Sequence, residues 1–199
     1  MVLASNNAGK LAELRRILAP LGFDLVSPRE LGFDIAPVED GGDFDANALI
    51  KARYWMNATG LPAIADDSGL CVDALGGAPG VDSAIFAGSN ATDAENNALL
   101  LERLRDIPET ARGAHYHCTA ACVALDGRTL IAHGQADGRV LAAPRGTGGF
   151  GYDPVMQEPV SGKTFAELDG AEKDAVSHRG KAFSALAEHL IDFLNGTHA

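Results

Sequence analysis

Two adjacent carboxylates, Asp66 and Asp67, follow the short apolar run Pro62-Ala63-Ile64-Ala65 and precede Ser68-Gly69. A buried strand that stops at two acids delivers them to the crevice beyond its end, where open α/β sheets bind ligands. Glu39 and Asp40 in the preceding loop add hard oxygen donors of the kind magnesium prefers, although solvated loop acids are the other reading in so acidic a chain. A second constellation is Ser5-Asn6-Asn7-Ala8-Gly9 followed by Lys10. Free backbone N–H groups and the positive end of the helix dipole suit an anion there, and Lys10 adds a full charge. Ser and Asn in such a place equally serve as plain helix caps. Lys173, Ser177, His178, Arg179 and Lys181 form a polar and basic cluster just before the last helix, either a solvated face or, as Gly180 inside it suggests, a site shaped for something other than helix stability.

Other patterns fail on their context. Gly146-Thr147-Gly148-Gly149-Phe150-Gly151 matches a dinucleotide fingerprint, but Pro144 precedes it and Tyr152-Asp153-Pro154 follows, where a strand and a helix are required. It reads either as a loop that lets backbone approach a ligand or as an ordinary tight loop. Gly162-Lys163-Thr164 lacks the earlier glycine of a phosphate-binding P-loop, since Gln157 holds that place, and Gly9-Lys10 fails similarly at Ala4. His115 and His117 face one side of a strand while Cys118 and Cys122 face the other, which argues against a zinc site. Ser68 has no nucleophile-elbow sequence around it.

The elements that must position these groups follow from periodicity. Val2 to Ala4 reads as a strand, and Leu11, Leu14, Ile17, Leu18 and Leu21 follow helical spacing as far as Gly22. Phe23 to Val26 is a second candidate strand, and residues 27–42 read as irregular. Asp43 is placed to cap a helix through Leu49, Ile50 and Ala52. Residues 76–90, rich in Gly, Pro and small polar types, read as loop. Thr92 and Glu95 make a capping box ahead of Leu99, Leu100 and Leu104. Asp126-Gly127 marks a hairpin between His115–Leu125 and Arg128–Gln135, with a further strand at Val140-Leu141. Phe183, Leu186, Leu190, Ile191 and Leu194 form the stripe of a last helix, with Gly196 past its end. Helices alternating with strands, then a hairpin, predict an α/β fold: a mixed sheet with helices packed on it.

The chain has 199 residues, 46% of them hydrophobic, enough to bury a core of its own, and no linker or repeat divides it, so residues 1–199 read as a single domain. Its net charge of −11 disfavours a broad footprint for nucleic acid or an anionic membrane, so any polyanion must meet a local positive cluster. Three cysteines are an odd number for a disulfide framework and suit a reducing compartment. With no basic leader and no apolar run of membrane-spanning length, the expectation is a cytoplasmic protein.

Five stretches, in order along the chain, resemble the inosine triphosphate pyrophosphatase family: Leu3 to Lys10, Asn47 to Ala52, Ala65 to Leu70, Gly146 to Pro154, and Ser177 to Gly180. The resemblance implies an elongated mixed sheet with flanking helices, two lobes around a central cleft, and a homodimer. It implies magnesium-dependent cleavage of ITP, dITP or XTP between the α and β phosphates, giving the monophosphate and pyrophosphate. Carried over by position, Ser5, Asn7 and Lys10, within the loop that also holds Asn6, Ala8 and Gly9, hold phosphate oxygens, and Lys51 adds charge. Asp67 is the catalytic base and, with Glu39, a magnesium ligand, Asp40 being the alternative partner. Ser68 hydrogen-bonds beside it. Phe150 stacks on the base with Gly151, Tyr152 and Asp153 completing the wall, and Lys173, His178 and Arg179 face the base edge. Donors from His178 or Arg179 suit the 6-oxo acceptor of hypoxanthine and oppose the amino donor of adenine.

Overall fold

A computed structural model describes residues 1–35 and 37–196. The elements run β1 (Val2–Leu3), α1 (Ala8–Leu18), α2 (Phe44–Thr59), β2 (Ala63–Val72), α3 (Asp93–Arg103), β3 (Gly113–Val123), β4 (Thr129–Val140), β5 (Met156–Gln157), α4 (Gly170–Val176) and α5 (His178–Asn195). One sheet has the strand order β1-β2-β3-β4-β5. β1 runs parallel to β2, with Val2 opposite Ala63, and β5 antiparallel to β4, so the sheet is mixed, as the element pattern predicts. Among the described residues no helix is long and apolar enough to cross a membrane.

Local signals at the helix ends hold. Asn7 caps α1 by accepting from the Lys10 amide at 3.0 Å, and Asp43 caps α2 by accepting from the Ala46 amide at 2.7 Å. Both arms of the Thr92–Glu95 capping box are formed at α3. Gly127 turns the β3–β4 hairpin at φ 85°, a conformation that strains any side chain.

Four expectations change. Phe23 to Val26 is not a strand; Val26 makes one isolated parallel bridge to Val2. Val140 closes β4 and needs no strand of its own. The last helix begins at His178, so the basic cluster lies in α4 and in the first turn of α5 instead of ahead of a helix. Most consequentially, β2 does not end at the acids but carries Asp66 and Asp67 in its middle. Charged side chains can occupy a buried strand when each meets a cation, and both of these do.

The chain divides into two compact units. The first comprises Met1–Asp67, Cys118–Gly134 and the segment from His178 onward; the second comprises Ser68–His117 and Gln135–Ser177. Among the described residues of the first unit, buried apolar side chains form two clusters. Ile64 of β2 packs with Leu14 and Leu18 of α1, Phe183, Leu186 and Leu190 of α5, and Cys118 and Cys122. Ala63 and Ala65, its neighbours in β2, pack instead with Ala52 and Trp55 of α2. Alternating strand residues thus serve opposite faces, α1 and α5 covering one and α2 the other. Gly134 permits the close approach of α5, since a Cβ there would lie 2.1 Å from the His178 carbonyl oxygen. The second unit has its own core, in which Leu100 and Leu104 of α3 meet Leu70, Tyr116, Val140, Tyr152 and Phe165.

Candidate functional site

Asp67 continues the β2 face that holds Ala63 and Ala65, and so looks toward α2. Asn47 and Lys51 stand one helical turn apart on α2 and share a face. Lys51 Nζ donates to Asp67 Oδ1 at 2.7 Å, and Asn47 Nδ2 donates to Asp67 Oδ2 at 3.3 Å. The same ammonium donates to Glu39 Oε2 at 2.6 Å. Asn47 also accepts from the Gly41 amide at 2.9 Å, tying the acidic loop to the helix. Burial pushes the Asp67 carboxyl up to about 6, with Glu39 adding to the rise and Lys51 and Lys10 opposing it. Burial works against the charge of Lys51 as well, but Asp67, Asp66 and Glu39 together hold it above its ordinary value. The desolvation cost therefore falls on Asp67, which shares its ammonium with a second acid. Glu39 and Asp67 converge on one positive charge, and carboxylate oxygens of this kind are the donors that could hold a hard divalent cation.

Asp66 occupies the other face with Ile64. Its Oδ2 accepts from Lys10 Nζ at 3.0 Å and from Arg179 Nη2 and Nε at 3.2 and 3.3 Å. Arg179 Nη1 donates to Glu13 Oε2 at 2.6 Å. Burial alone would raise Asp66, but Lys10, Arg179 and Lys51 hold its carboxyl far below the usual range. Burial opposes the charge of Arg179, but Asp66 and Glu13, with Cys118, together hold it more firmly charged than usual. Three segments distant in sequence meet here, and the first turns of α1 and α5 both supply a cation to one carboxylate oxygen.

The second unit builds a different surface. Lys173 Nζ sits 4.7 Å from the Phe150 ring centroid and donates to Asp153 Oδ2 at 2.6 Å. Asp153 also accepts from the Phe150 amide at 2.9 Å and from the Tyr116 hydroxyl at 3.3 Å. The Gly151 amide donates to Asp93 at 2.7 Å, and the Tyr152 hydroxyl donates to the Ser83 carbonyl at 2.8 Å. A Cβ at Gly149 would lie 2.1 Å from Asp153 Oδ2, and one at Gly148 would lie 2.9 Å from the Ala166 carbonyl. Close packing therefore accounts for these two glycines. A cavity of about 460 Å³ lies between the α3 residues Asp93, Asn97 and Leu101 and the loop residues Thr147 and Phe150.

Of the expected site residues, Ser5, Asn6, Asn7, Ala8, Gly9, Lys10, Glu39, Lys51, Asp67, His178 and Arg179 fall in the first unit; Ser68, Phe150, Gly151, Tyr152, Asp153 and Lys173 fall in the second. Arg179 shares Asp66 with Lys10, on the side of the α1 loop, and its side chain is only 2% exposed. Cys118 and Cys122 are buried, and burial raises both thiols, Cys122 to about 12, which suits packing over metal binding. Sequence reasoning missed roles for Asn47 and Glu13. The first had a signal, one turn from Lys51. Glu13 had one too, since it stands four residues before Ile17, where an acid interrupts the apolar stripe of α1.

Comparison with known proteins is consistent across sequence and structure. Residues 1–189 match the Ham1 family. A dITP/XTP pyrophosphatase of Shigella flexneri is 50% identical over 192 residues, covering 96% of this chain and 97% of that protein. One from Xanthomonas campestris pv. campestris is 52% identical, with 96% of each chain covered. The structure of a HAM1 protein from Coxiella burnetii superposes with a TM-score of 0.85 at 44% identity, covering 96% of this chain and 98% of that one. A nucleoside-triphosphatase / dITP/XTP pyrophosphatase from Mycobacterium abscessus gives 0.74 at 46% identity, covering 93% and 97%.

Proposed function

Because the chain belongs to the Ham1 family, we propose that it hydrolyses deaminated purine nucleoside triphosphates, ITP, dITP and XTP, to the monophosphate and pyrophosphate with magnesium. Its class is that of a nucleoside triphosphate pyrophosphatase. The observation that carries the mechanism is Asp67: a buried carboxylate with its pKa pushed up to about 6, beside Lys51 and Glu39. A base with a pKa close to the working pH is ionised often enough to act and basic enough to take a proton.

In this reading Asp67 takes a proton from the water that attacks the α phosphorus, and Asn47 keeps the carboxylate oriented. Glu39 and Asp67 would hold magnesium, which when bound supplies charge to the phosphate oxygens and to the leaving pyrophosphate. Ser5, Asn7 and the N-terminal amides of α1, with Lys10, receive phosphate oxygens, and Ser68 hydrogen-bonds beside Asp67. Lys51 releases part of its hold on the carboxylates to phosphate. On the second unit Phe150 offers its ring to the base, with Gly151, Tyr152 and Asp153 as the wall and Lys173 as a donor for the base edge. His178 adds a donor for a 6-oxo group. Arg179, sharing Asp66 with Lys10, supports the phosphate side. The family resemblance adds a homodimer, which light scattering of the purified protein tests, and three cysteines, an odd number for a disulfide framework, suit a reducing, cytoplasmic setting.

Incubation with ITP and magnesium should release pyrophosphate and IMP as first products. Orthophosphate with IDP would place the cut at the wrong bond and reject the mechanism. A panel of ITP, dITP, XTP, GTP, ATP and pyrimidine triphosphates should give the highest kcat/KM on the first three.

A further inference from the structure

Two cations share one oxygen of Asp66, and they differ sharply in access. The Lys10 side chain is 20% exposed and lies in the first turn of α1; Arg179 is 2% exposed and is held from its other side by Glu13. Lys10 can leave Asp66 without stranding a buried charge, because Arg179 stays with Asp66 and Glu13 stays with Arg179. A lysine stem is otherwise flexible, and a fixed anion at its tip selects one direction for the ammonium.

From this arrangement we propose that Asp66 is a positioning residue for the phosphate site. It holds the Lys10 ammonium beside the Ser5–Gly9 loop in the empty protein and yields it to the incoming phosphate, with Arg179 as the permanent counterion that makes the exchange possible. Asp66 itself neither touches the metal nor takes a proton. The proposal rests on the phosphate reading of the α1 loop given above.

A double-mutant cycle tests it. Asp66→Asn should raise the KM for ITP about tenfold, the scale of the rotamer freedom returned to Lys10, with a smaller change in kcat. In a Lys10→Met background the same Asp66→Asn change should leave KM where Lys10→Met alone puts it. Effects that multiply instead would make Asp66 a merely structural residue and overturn the proposal. Since Asp66→Asn removes a buried charge and can fail to fold, a second measurement uses the wild-type protein. On saturation with inorganic pyrophosphate and magnesium, the NMR signal of the Lys10 ammonium should shift while that of Arg179 Nε–H stays in place. Loop amides of residues 5–10 that respond while Lys10 Nζ does not would sink the role of Asp66 alone. If none of those amides responds, the phosphate reading falls and takes this proposal with it.

Discussion

Asp66 and Asp67 are neighbours in one strand, yet they face opposite sides of the sheet and experience opposite electrostatics. Asp66 meets two cations, one of them locked by Glu13, and its carboxyl is driven far below the usual range despite complete burial. Asp67 meets one ammonium that Glu39 also claims, and burial drives its carboxyl up to about 6. Chemical identity and distance along the chain are the same for both. What differs is how many positive charges each face supplies per carboxylate. An acid compensated in full stays ionised and fixes the cations around it, whereas one left under-compensated near neutrality is equipped to exchange a proton or accept a metal.

The sharpest way to break this comparison is stability. Asp66→Asn should destabilise the protein by about 3–5 kcal/mol, because it leaves buried Arg179 with Glu13 alone. Asp67→Asn should leave the denaturation midpoint unchanged or raise it. Chemical denaturation of both variants measures this, and equal losses would erase the distinction between the faces. Turnover should respond in the reverse sense: Asp67→Asn lowers kcat by roughly two powers of ten or more while the protein stays folded. A folded Asp67→Asn enzyme of near-normal rate would remove Asp67 from the chemistry.

A smaller effect is expected from Lys173→Met on the second unit. Losing a charged donor to the base edge should reduce the ITP-to-ATP ratio of kcat/KM by about tenfold, a loss of roughly 1.5 kcal/mol on ITP alone. Arg179→Ala, by contrast, should lower kcat/KM on both nucleotides alike, since Arg179 acts through Asp66. A selective loss on ITP would return Arg179 to the base edge.

The finest distinction is in titration. In the metal-free protein the Asp67 side-chain carboxyl should titrate near 6, against an ordinary value of 3.8, while Asp66 stays ionised throughout that range. The linked stabilities have opposite signs. Asp67, raised in the fold, contributes stability at low pH that is lost as pH climbs from about 4 through about 6. Asp66, depressed in the fold, contributes stability above its ordinary value that is lost only as the medium turns strongly acidic. Carboxyl carbon shifts followed by NMR across pH 3 to 8 separate the two residues directly.

Much of this was readable from local sequence. Asn7 and Asp43 as caps, the Thr92–Glu95 box and the Asp126-Gly127 turn depend on interactions within a few residues, so the chain specifies them with no partner needed. The amphipathic stripes of α1 and α5 and the mixed sheet followed from periodicity for the same reason. The five ordered stretches that resemble a known family were equally legible as strings. Tertiary structure alone decided which charges the two acids meet. Asp66-Asp67 reads in sequence as a strand ending at its ligands, but the strand runs on, because Lys10 and Arg179 arrive on one side and Lys51 on the other. Glu13 and Arg179 lie 166 positions apart, and nothing in the neighbourhood of either announces the other. Electrostatic compensation is a long-range property set by which helices cover which face of the sheet. The sequence therefore named the two carboxylates, and only the packing of α1, α2 and α5 against β2 made one of them an anchor and left the other poised to ionise near neutral pH.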